Sequence, residues 1–288
     1  NIIKGQTEWQ GKLTLSDKES DLILSSNLSG LSINSMYDLN KEKDKSIPFQ
    51  LKKRTSTSSI DYIDMTYGKI MTARFIREDD NKIKRGFIGI NNIPSMPDNG
   101  IIINANFDSL DTKIIKSLFD HHSRDENTNK NIQQKSLFKK VILNVDNLMI
   151  KGNKLTQASI NYIPTIDGSN TRIDSREVSG DISWSLSNKL YNLNFSKMHL
   201  MREEKSSTNK EIITEKNIKT EADSGHESNL ELSKINMKID SFKINENDYG
   251  KVILTAREDH EGFIFDSLDI VNDAYTLKGN GYWKSNTF

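Results

Sequence analysis

Residues 141–155 read VILNVDNLMIKGNKL, and a similar segment, INMKIDSFKINENDY, follows at residues 235–249. In both segments apolar and polar residues alternate up to an aspartate, Asp146 or Asp240, after which the alternation shifts by one residue. Successive side chains of a β-strand point to opposite faces of a sheet. The alternation therefore predicts half-buried strands, and the shared shift predicts a bulge or tight turn at each aspartate.

Each of these segments is followed by a strand-like stretch with the pattern Gly-x-x-x-Trp. VSGDISW ends at Trp184, and LKGNGYW ends at Trp283. Residues four apart share a face of a strand, so the tryptophan lies on the same face as its glycine, which a neighbouring aromatic side chain can cover. Trp9 has the same spacing, and we interpret it as the tail of an earlier copy. The motif residues are Gly5, Trp9, Gly180, Trp184, Gly279 and Trp283.

Alternation of this kind extends over most of the chain, which has 288 residues. Similar segments recur about every ten residues, as in a large antiparallel sheet, and predict roughly 18–22 strands. The predicted fold is mostly β: a long, curled antiparallel sheet with one or two short helices. One helix is predicted near residues 111–121, where apolar residues fall on one face, and we expect it to plug or cap one side of the sheet.

The repeat divides the chain into four parts. We assign residues 1–136 to a first β segment that includes the helix, residues 137–201 and 230–288 to two repeat modules, and residues 202–229 to a polar loop between them. Residues 41–46 and 121–136 are also polar. We expect all three polar stretches to be mobile, because they bury too little apolar surface to offset their ordering entropy. We interpret the chain as an internal piece of a longer protein.

Composition argues against several functions. The chain has no cysteine, which excludes disulfides, thiolate metal sites and a cysteine nucleophile. Forty basic residues balance forty acidic ones, so no nucleic-acid partner is expected. The five histidines lack metal-binding spacing, and no G-x-S-x-G motif occurs. We therefore expect no metal, no cofactor and no enzymatic activity. No apolar run reaches the roughly 18 residues that a membrane-spanning helix needs.

Two short motifs have both a structural and a functional interpretation. GFIG at residues 86–89 resembles a phosphate-binding loop, but it lies within an alternating stretch, so we prefer a β-bulge. QLKKR at residues 50–54 offers a contact for anionic lipid head groups. A run of this kind is more often a solvated strand face, and we prefer that interpretation.

The order of these motifs resembles the AsmA-like proteins of Gram-negative envelopes, and specifically the YhdP type. Residues 235–283 are similar to a repeat of that family, in which a strand, an aspartate and further alternating strands precede a closing Gly-x-x-x-Trp. Residues 86–111, GFIGINNIPSMPDNGIIINANFDSLD, are similar to a family segment with a glycine pair, a turn before Gly100 and a Leu-Asp pair. Gly30 fits a further family strand, and the resemblance covers nearly the whole chain.

The resemblance implies a repeating β-groove, a trough-like sheet that spans the periplasm and is anchored in the inner membrane by a segment outside this chain. It also implies a role in carrying phospholipid between the inner and outer membranes. The partners would be phospholipid acyl chains and components of both membranes. The alternative within the same family is a scaffold for envelope assembly that moves no lipid. An extracellular β-solenoid adhesin fits less well, because no repeat of roughly 20–30 residues occurs.

Alternation supplies the candidate groove residues, because a trough needs one face for acyl chains and one for water. An acyl chain of about sixteen carbons would lose about 13 kcal/mol on leaving such a groove for water, and movement along the groove avoids that barrier. The same residues would also fit the core of a closed β-sandwich, although the number of predicted strands disfavours it. The candidates are Ile101, Ile103, Phe107, Val141, Leu143, Val145, Ile235, Met237, Ile239, Val252, Leu254, Phe263 and Phe265.

Overall fold

The computed structural model describes residues 2–284 apart from 18, 36–38, 57–59, 79–81, 113–136, 151, 202–232 and 260–261. Within these residues the chain forms eighteen strands, as the alternation predicts. The first nine are β1 Ile3–Gly5, β2 Gln10–Leu15, β3 Ser20–Ser26, β4 Leu31–Ile33, β5 Phe49–Thr55, β6 Asp61–Tyr67, β7 Met71–Arg77, β8 Ile83–Ile90 and β9 Gly100–Asp111. The others are β10 Phe138–Ile150, β11 Asn153–Thr165, β12 Gly168–Asp174, β13 Val178–Ser185, β14 Leu190–Leu200, β15 Lys234–Ile244, β16 Asn247–Asp259, β17 Gly262–Val271 and β18 Thr276–Lys284.

Sixteen of the strands form one continuous sheet. Its order follows the sequence from β18 back to β5 and continues with β3 and β2, while β1 and β4 form a separate two-stranded sheet. In the described part of the chain β2 and β18 are edge strands, so the sheet is open. At about 4.8 Å per strand, it extends over roughly 72 Å perpendicular to the strands.

The sheet is mixed, so the prediction of an antiparallel sheet is wrong at three places. β8 pairs with β9, β9 with β10, and β14 with β15 in parallel, whereas the other neighbouring pairs are antiparallel. A parallel pair requires the connecting chain to return to the end at which the first strand began. The connections are residues 91–99, 112–137 and 201–233.

Two of the parallel pairs lie where the sequence places boundaries between modules. The pairs β9–β10 and β14–β15 continue the hydrogen bonding from one predicted module into the next. Asp111, the predicted first residue of a helix, is instead the last residue of β9, and the rest of that helix from residue 113 lies outside the described residues. The predicted loops at residues 121–136 and 202–229 lie outside them as well.

The strand register assigns the side chains to two faces. Leu143 pairs with Ala105 on one neighbouring strand and with Ile160 on the other, so these three apolar residues share a face. On the opposite side Asn144 pairs with Asn106 and Ser159. We call the two surfaces the apolar face and the polar face, and the same register extends both across the whole sheet.

A transverse line of irregular pairing, which we call the crease, runs along part of the sheet. In β9, β10 and β11 the ladder omits Asp108, Asp146 and Gln157, and Gln157 has a positive φ of 53°. In β14 and β15 a bulge lies at Ser196 and near Asp240. The predicted bulge is therefore confirmed near Asp240, whereas at Asp146 the pairing is interrupted without a change of register. Irregularities of this kind bend strands and increase their local twist.

The two Gly-x-x-x-Trp strands occupy different positions in the sheet. Gly180 and Trp184 lie on the apolar face of the internal strand β13, and Phe195 covers the glycine. A Cβ atom at Gly180 would lie 2.4 Å from Phe195 Cδ1 and 2.5 Å from the carbonyl oxygen of Asn194. β18 is an edge strand, and no described atom lies within 4 Å of a Cβ built on Gly279. Aromatic cover is thus confirmed for Gly180 and wrong for Gly279.

This difference predicts opposite outcomes for the same substitution. Gly180→Ala is expected to destabilise the chain by about 1–3 kcal/mol, because the new methyl group meets backbone atoms of β14. Gly279→Ala is expected to change the free energy of unfolding by less than about 0.5 kcal/mol. Urea denaturation of both variants measures the difference. Equal effects would show that the close approach of β14 does not require a glycine at position 180.

Trp9 does not belong to a Gly-x-x-x-Trp strand, which corrects the interpretation of it as the tail of an earlier copy. Gly5 ends β1, and Trp9 lies between β1 and β2, where its ring meets that of Phe49 edge to face at 5.6 Å. Gly5 has a φ of 108°, and a Cβ atom there would lie 2.1 Å from the carbonyl oxygen of Gly30. The glycine serves the close approach of β1 and β4, not a tryptophan strand.

Residues 41–46 are not uniformly solvated. Lys41 is only 2% exposed, and its Nζ donates to the carbonyl oxygens of Leu31 at 2.7 Å and Glu42 at 3.0 Å. Nearby, the hydroxyl of Tyr67 donates to the carbonyl of Leu39. Lys41 is therefore held in place, and the expectation of a mobile segment is wrong at this residue.

GFIG at residues 86–89 pairs regularly with both neighbouring strands, so the predicted bulge is wrong there. The irregularity in β8 falls instead at Lys84. A Cβ atom at Gly86 would lie 2.5 Å from Phe75 Cδ1 on the apolar face, and one at Gly89 would lie 2.3 Å from the carbonyl oxygen of Asn92. Each glycine makes room for a neighbour on a different face.

Candidate functional site

The candidate site is the apolar face, and one row of paired residues shows its continuity. This row crosses all sixteen strands and contains no charged residue. Its members are Gly11, Leu24, Leu51, Met65, Ala73, Ile88, Ile103, Val141, Tyr162, Thr171, Ile182, Leu193, Met237, Leu254, Leu268 and Gly279. The register therefore joins residues from separate predicted modules into one apolar surface.

All thirteen predicted groove residues lie on this face. Phe107 pairs with Val145, and Ile239 pairs with Val252, on the same side as the row through Val141. In β17 the ladder shifts between Phe265 and Leu268, which brings both of these residues to the apolar face although their spacing is odd. The structure thus brings the whole set together, including residues more than a hundred positions apart in sequence.

Several residues of the apolar face are absent from the sequence-based set. We call the part of the apolar face along this row the floor. Leu193 in β14 and Ile182 in β13 continue the floor between the two predicted groups, and Leu51, Met65 and Ile88 extend it through the first half of the chain. The signal that finds them is the same alternation, as in YNLNF, where Tyr, Leu and Phe are separated by asparagines.

Burial differs along the strands of the apolar face. Most of the floor is half-buried, including Leu143, Leu193 and Met237. Around the crease several apolar side chains are buried, among them Val145 and Ile239, and Leu110 and Leu148 are each 1% exposed. Beyond it, Met198 and Phe242 are again only partly buried. A sandwich packs two large sheets face to face, whereas all sixteen strands of this face belong to one sheet and the described residues form no second sheet of comparable size.

The polar face is built for contact with water. Ser159 donates to Asn144, and Asn144 donates to Asn106, each at 3.0 Å, so a chain of hydrogen-bonded side chains crosses three strands. Exposed ion pairs join further neighbouring strands: Arg54 with Asp21, Arg74 with Asp64, Arg172 with Asp181 and Arg257 with Asp266. Exposed pairs of this kind add little stability, but they keep this face hydrated.

One margin of the sheet combines aromatic and charged side chains. We call it the tryptophan rim: it is the margin at which β5, β7, β13 and β18 end and β6 begins. On its apolar face Trp184 stacks on Tyr191 at 4.2 Å between ring centroids, and Trp283 stacks on Phe263 at 6.1 Å. Aromatic rings with a polar edge suit a boundary between hydrocarbon and water.

A charged cluster occupies the same rim in β5–β7. Asp61 is 5% exposed and accepts hydrogen bonds from Thr55 Oγ1 at 2.6 Å and Arg77 Nε at 2.7 Å. Lys53 Nζ lies 3.3 Å from the same carboxylate. Burial by itself would raise the pKa of Asp61, but the hydrogen bonds from Thr55, Arg77 and Lys53 together hold it below its ordinary value. The carboxylate is therefore ionised at neutral pH.

The lowered pKa of Asp61 predicts how stability depends on pH. A carboxyl whose folded pKa is depressed stabilises the fold above its unfolded pKa of about 3.9 and loses that contribution as pH falls through the folded pKa. Asp61→Asn is expected to be less stable than the wild type at pH 7, and the gap is expected to close below about pH 4. Urea unfolding from pH 7 to pH 3 measures it, and a gap that stays constant would contradict the assignment.

QLKKR at residues 50–54 is divided between the two faces. Lys52 and Arg54 lie on the polar face, which confirms the preferred interpretation for them, whereas Lys53 lies on the apolar face between Leu22 and Ile63. The run is therefore not a single solvated surface, and its central lysine belongs to the charged cluster.

The other titratable groups form no catalytic arrangement in the described part of the chain. His199, the one described histidine, has its Nε2 2.9 Å from Ser241 Oγ, and burial together with Lys243 and Lys197 lowers its pKa. No three metal-binding side chains come together among the described residues. No described helix is long and apolar enough to cross a membrane.

These features define a class: an open, single-sheet β-groove protein with a continuous apolar face, a hydrated opposite face and one amphipathic rim. The YhdP protein family matches residues 1–287, and the chain belongs to this family. The resemblance drawn from the motifs is therefore confirmed over nearly the whole chain. Neither a curated protein nor a solved structure matches the chain.

Proposed function

We propose that the apolar face binds phospholipid acyl chains and that the chain is one segment of a periplasmic bridge that carries phospholipid between the inner and outer membranes. The observation that carries the proposal is the uncharged row through all sixteen strands. A lipid moving along this row meets no charged member over roughly 72 Å, and most of the members are apolar. No chemical step is required, so the proposed function is not enzymatic.

The half-burial of the floor supports this proposal. Each methylene group that an acyl chain buries contributes about 0.8 kcal/mol, and half-buried side chains such as Leu143 and Met237 have apolar surface left to offer. Neighbouring described strands present side chains of similar polarity along the row, so we expect no strongly preferred position for an acyl chain. Similar sites in series favour sliding over tight binding.

Site-specific photocrosslinking in Gram-negative cells tests the proposal. A photoreactive amino acid at Val141, Leu143 or Met237 is expected to trap phospholipid, whereas the same amino acid at Asn144 or Asn236 on the polar face is not. Each control lies within a few residues of a test position on the same strand. Equal trapping on both faces, or none on either, would contradict the conduit and favour the scaffold of envelope assembly.

A further inference from the structure

Three neighbouring strands change polarity in the same direction along the apolar face. β5 changes from Phe49 and Leu51 to Lys53 and Thr55 as it approaches the tryptophan rim. On the same face β6 has Tyr67, Met65 and Ile63 before Asp61, and β7 has Met71, Ala73 and Phe75 before Arg77. The apolar face of these strands therefore has one apolar margin and one charged margin.

The charged margin has an excess of positive charge. Lys53 and Arg77 share the single carboxylate of Asp61, so the three groups together carry one net positive charge. The side chains of Lys53 and Arg77 remain 36% and 28% exposed, whereas the side chain of Asp61 is only 7% exposed. The carboxylate that directly follows Arg77 in sequence, Glu78, is paired with Lys84 at 2.7 Å. Asp61 thus holds two cations at the rim without neutralising both.

This cluster differs from the other ion pairs between strands. Among the described residues those pairs lie on the polar face, where water surrounds them, as Arg54 and Asp21 do in the adjacent strands. The cluster around Asp61 is on the apolar face. Asp61 and Arg77 lie in the row that runs through Leu15, Ser20, Thr55 and Ile83, and Lys53 lies in the next row, between Leu22 and Ile63. A purely structural ion pair would need no position on this face.

The spacing between the two margins matches a lipid. Tyr67 lies six positions after Asp61 on β6, a distance of about 20 Å at the rise of a strand. One leaflet of a bilayer has a hydrocarbon layer of about 15 Å, half of the whole core. A phospholipid lying along these strands would therefore place its acyl chains on the apolar part and its phosphate at the cluster.

We infer that Lys53 and Arg77 form a binding site for the phosphate of a phospholipid head group, with Asp61 as the residue that positions both cations. Guanidinium and ammonium groups are the side chains that bind phosphate best, and Arg77 is oriented by its bonds to Asp61. The inference rests on the proposed function, because the acyl chains must occupy the apolar face. It adds an orientation: head groups at the tryptophan rim and acyl chains directed toward the opposite margin.

Two photoreactive lipids test the orientation on the purified 288-residue chain. One is phosphatidylglycerol with a diazirine on the head group, and the other carries the diazirine at the end of an acyl chain. Mass spectrometry of the labelled peptides is expected to place the head-group label near Lys53, Asp61 and Arg77. The acyl label is expected near the half-buried Phe49, Met65 and Met71. Head-group label spread equally over both margins would overturn the inferred orientation.

A charge-neutral variant tests the residues themselves. The triple substitution Lys53→Gln, Asp61→Asn and Arg77→Gln removes every charge but leaves hydrogen-bonding groups in place. It is expected to lower head-group labelling at the rim about tenfold or more, with acyl labelling around Met237 unchanged. The matched control, Asp21→Asn with Arg54→Gln, neutralises the neighbouring ion pair on the polar face and is expected to leave both labels unchanged. Undiminished head-group labelling of the triple variant would overturn the site.

Two further outcomes separate the inference from the function on which it rests. If neither lipid labels any residue of the apolar face, the proposed function itself fails. If inorganic phosphate binds at the rim but the head-group lipid labels no residue there while acyl labelling persists, the cluster is a site for free phosphate, and the inferred lipid site is wrong. Persistence of head-group labelling in the presence of inorganic phosphate supports the lipid site.

Discussion

Glutamate in place of Leu193 is expected to reduce the phospholipid recovered with the chain about 100-fold, whereas glutamate in place of Asn194 leaves it unchanged. The two positions are consecutive in β14 and point to opposite faces. Leu193 lies in the uncharged row between Ile182 and Met237. A carboxylate there keeps its water and excludes acyl chains from the strands on either side.

The size of this effect follows from apolar contact area. Loss of contact with about four methylene groups costs about 3 kcal/mol, which corresponds to a factor of more than 100 in binding. Leu193 is only half-buried, so its replacement disturbs the fold less than a charge at a fully buried position would. At exposed Asn194 the new carboxylate is in register with Lys238 on β15, which offsets its repulsion from Asp181, in register on β13.

Phospholipid extracted from the purified variants and quantified by mass spectrometry measures both effects. Far-ultraviolet circular dichroism and the midpoint of urea denaturation show whether each variant is folded. A folded Leu193→Glu variant that carries as much phospholipid as the wild type would remove the apolar row as the lipid path. Equal loss in both variants would show that any added negative charge on β14 has the same effect.

The apolar face could be predicted from the sequence because a strand encodes its faces locally. Every second residue shares a face, and the segments at residues 141–145 and 235–239 have clear alternation. The shift at Asp146 and Asp240 is also local, so the irregularities there could be predicted. Joining these segments into one surface requires the register, which depends on pairing partners that alternation does not specify.

Strand direction and the surroundings of single residues could not be predicted in the same way. Alternation is identical in parallel and antiparallel strands, so the three parallel pairs leave no local signal. The spacing of Gly5 and Trp9 repeats that of Gly180 and Trp184, but only the second pair lies within one strand. Lys53 shows the same limit, because its contact with Asp61 joins different strands.

Leu148→Ala is expected to destabilise the lipid-free chain by about 2–5 kcal/mol. Leu148 is 1% exposed and pairs with two further buried leucines, Leu110 on β9 and Leu155 on β11. Removing its side chain leaves a cavity that these neighbours cannot close without moving the strands at the crease.

Leu143→Ala is the matched control, because it is the same substitution on the same strand and face at a half-buried position. It is expected to cost about 1 kcal/mol in the lipid-free chain, since only part of the side chain is buried there. The order reverses for lipid: phospholipid recovered per folded chain should fall in Leu143→Ala and stay unchanged in Leu148→Ala. Urea denaturation after delipidation and lipid mass spectrometry measure the two quantities. If both substitutions changed both quantities alike, the crease would not be a structural core distinct from the floor, and the trough would have no separate lipid-contacting surface.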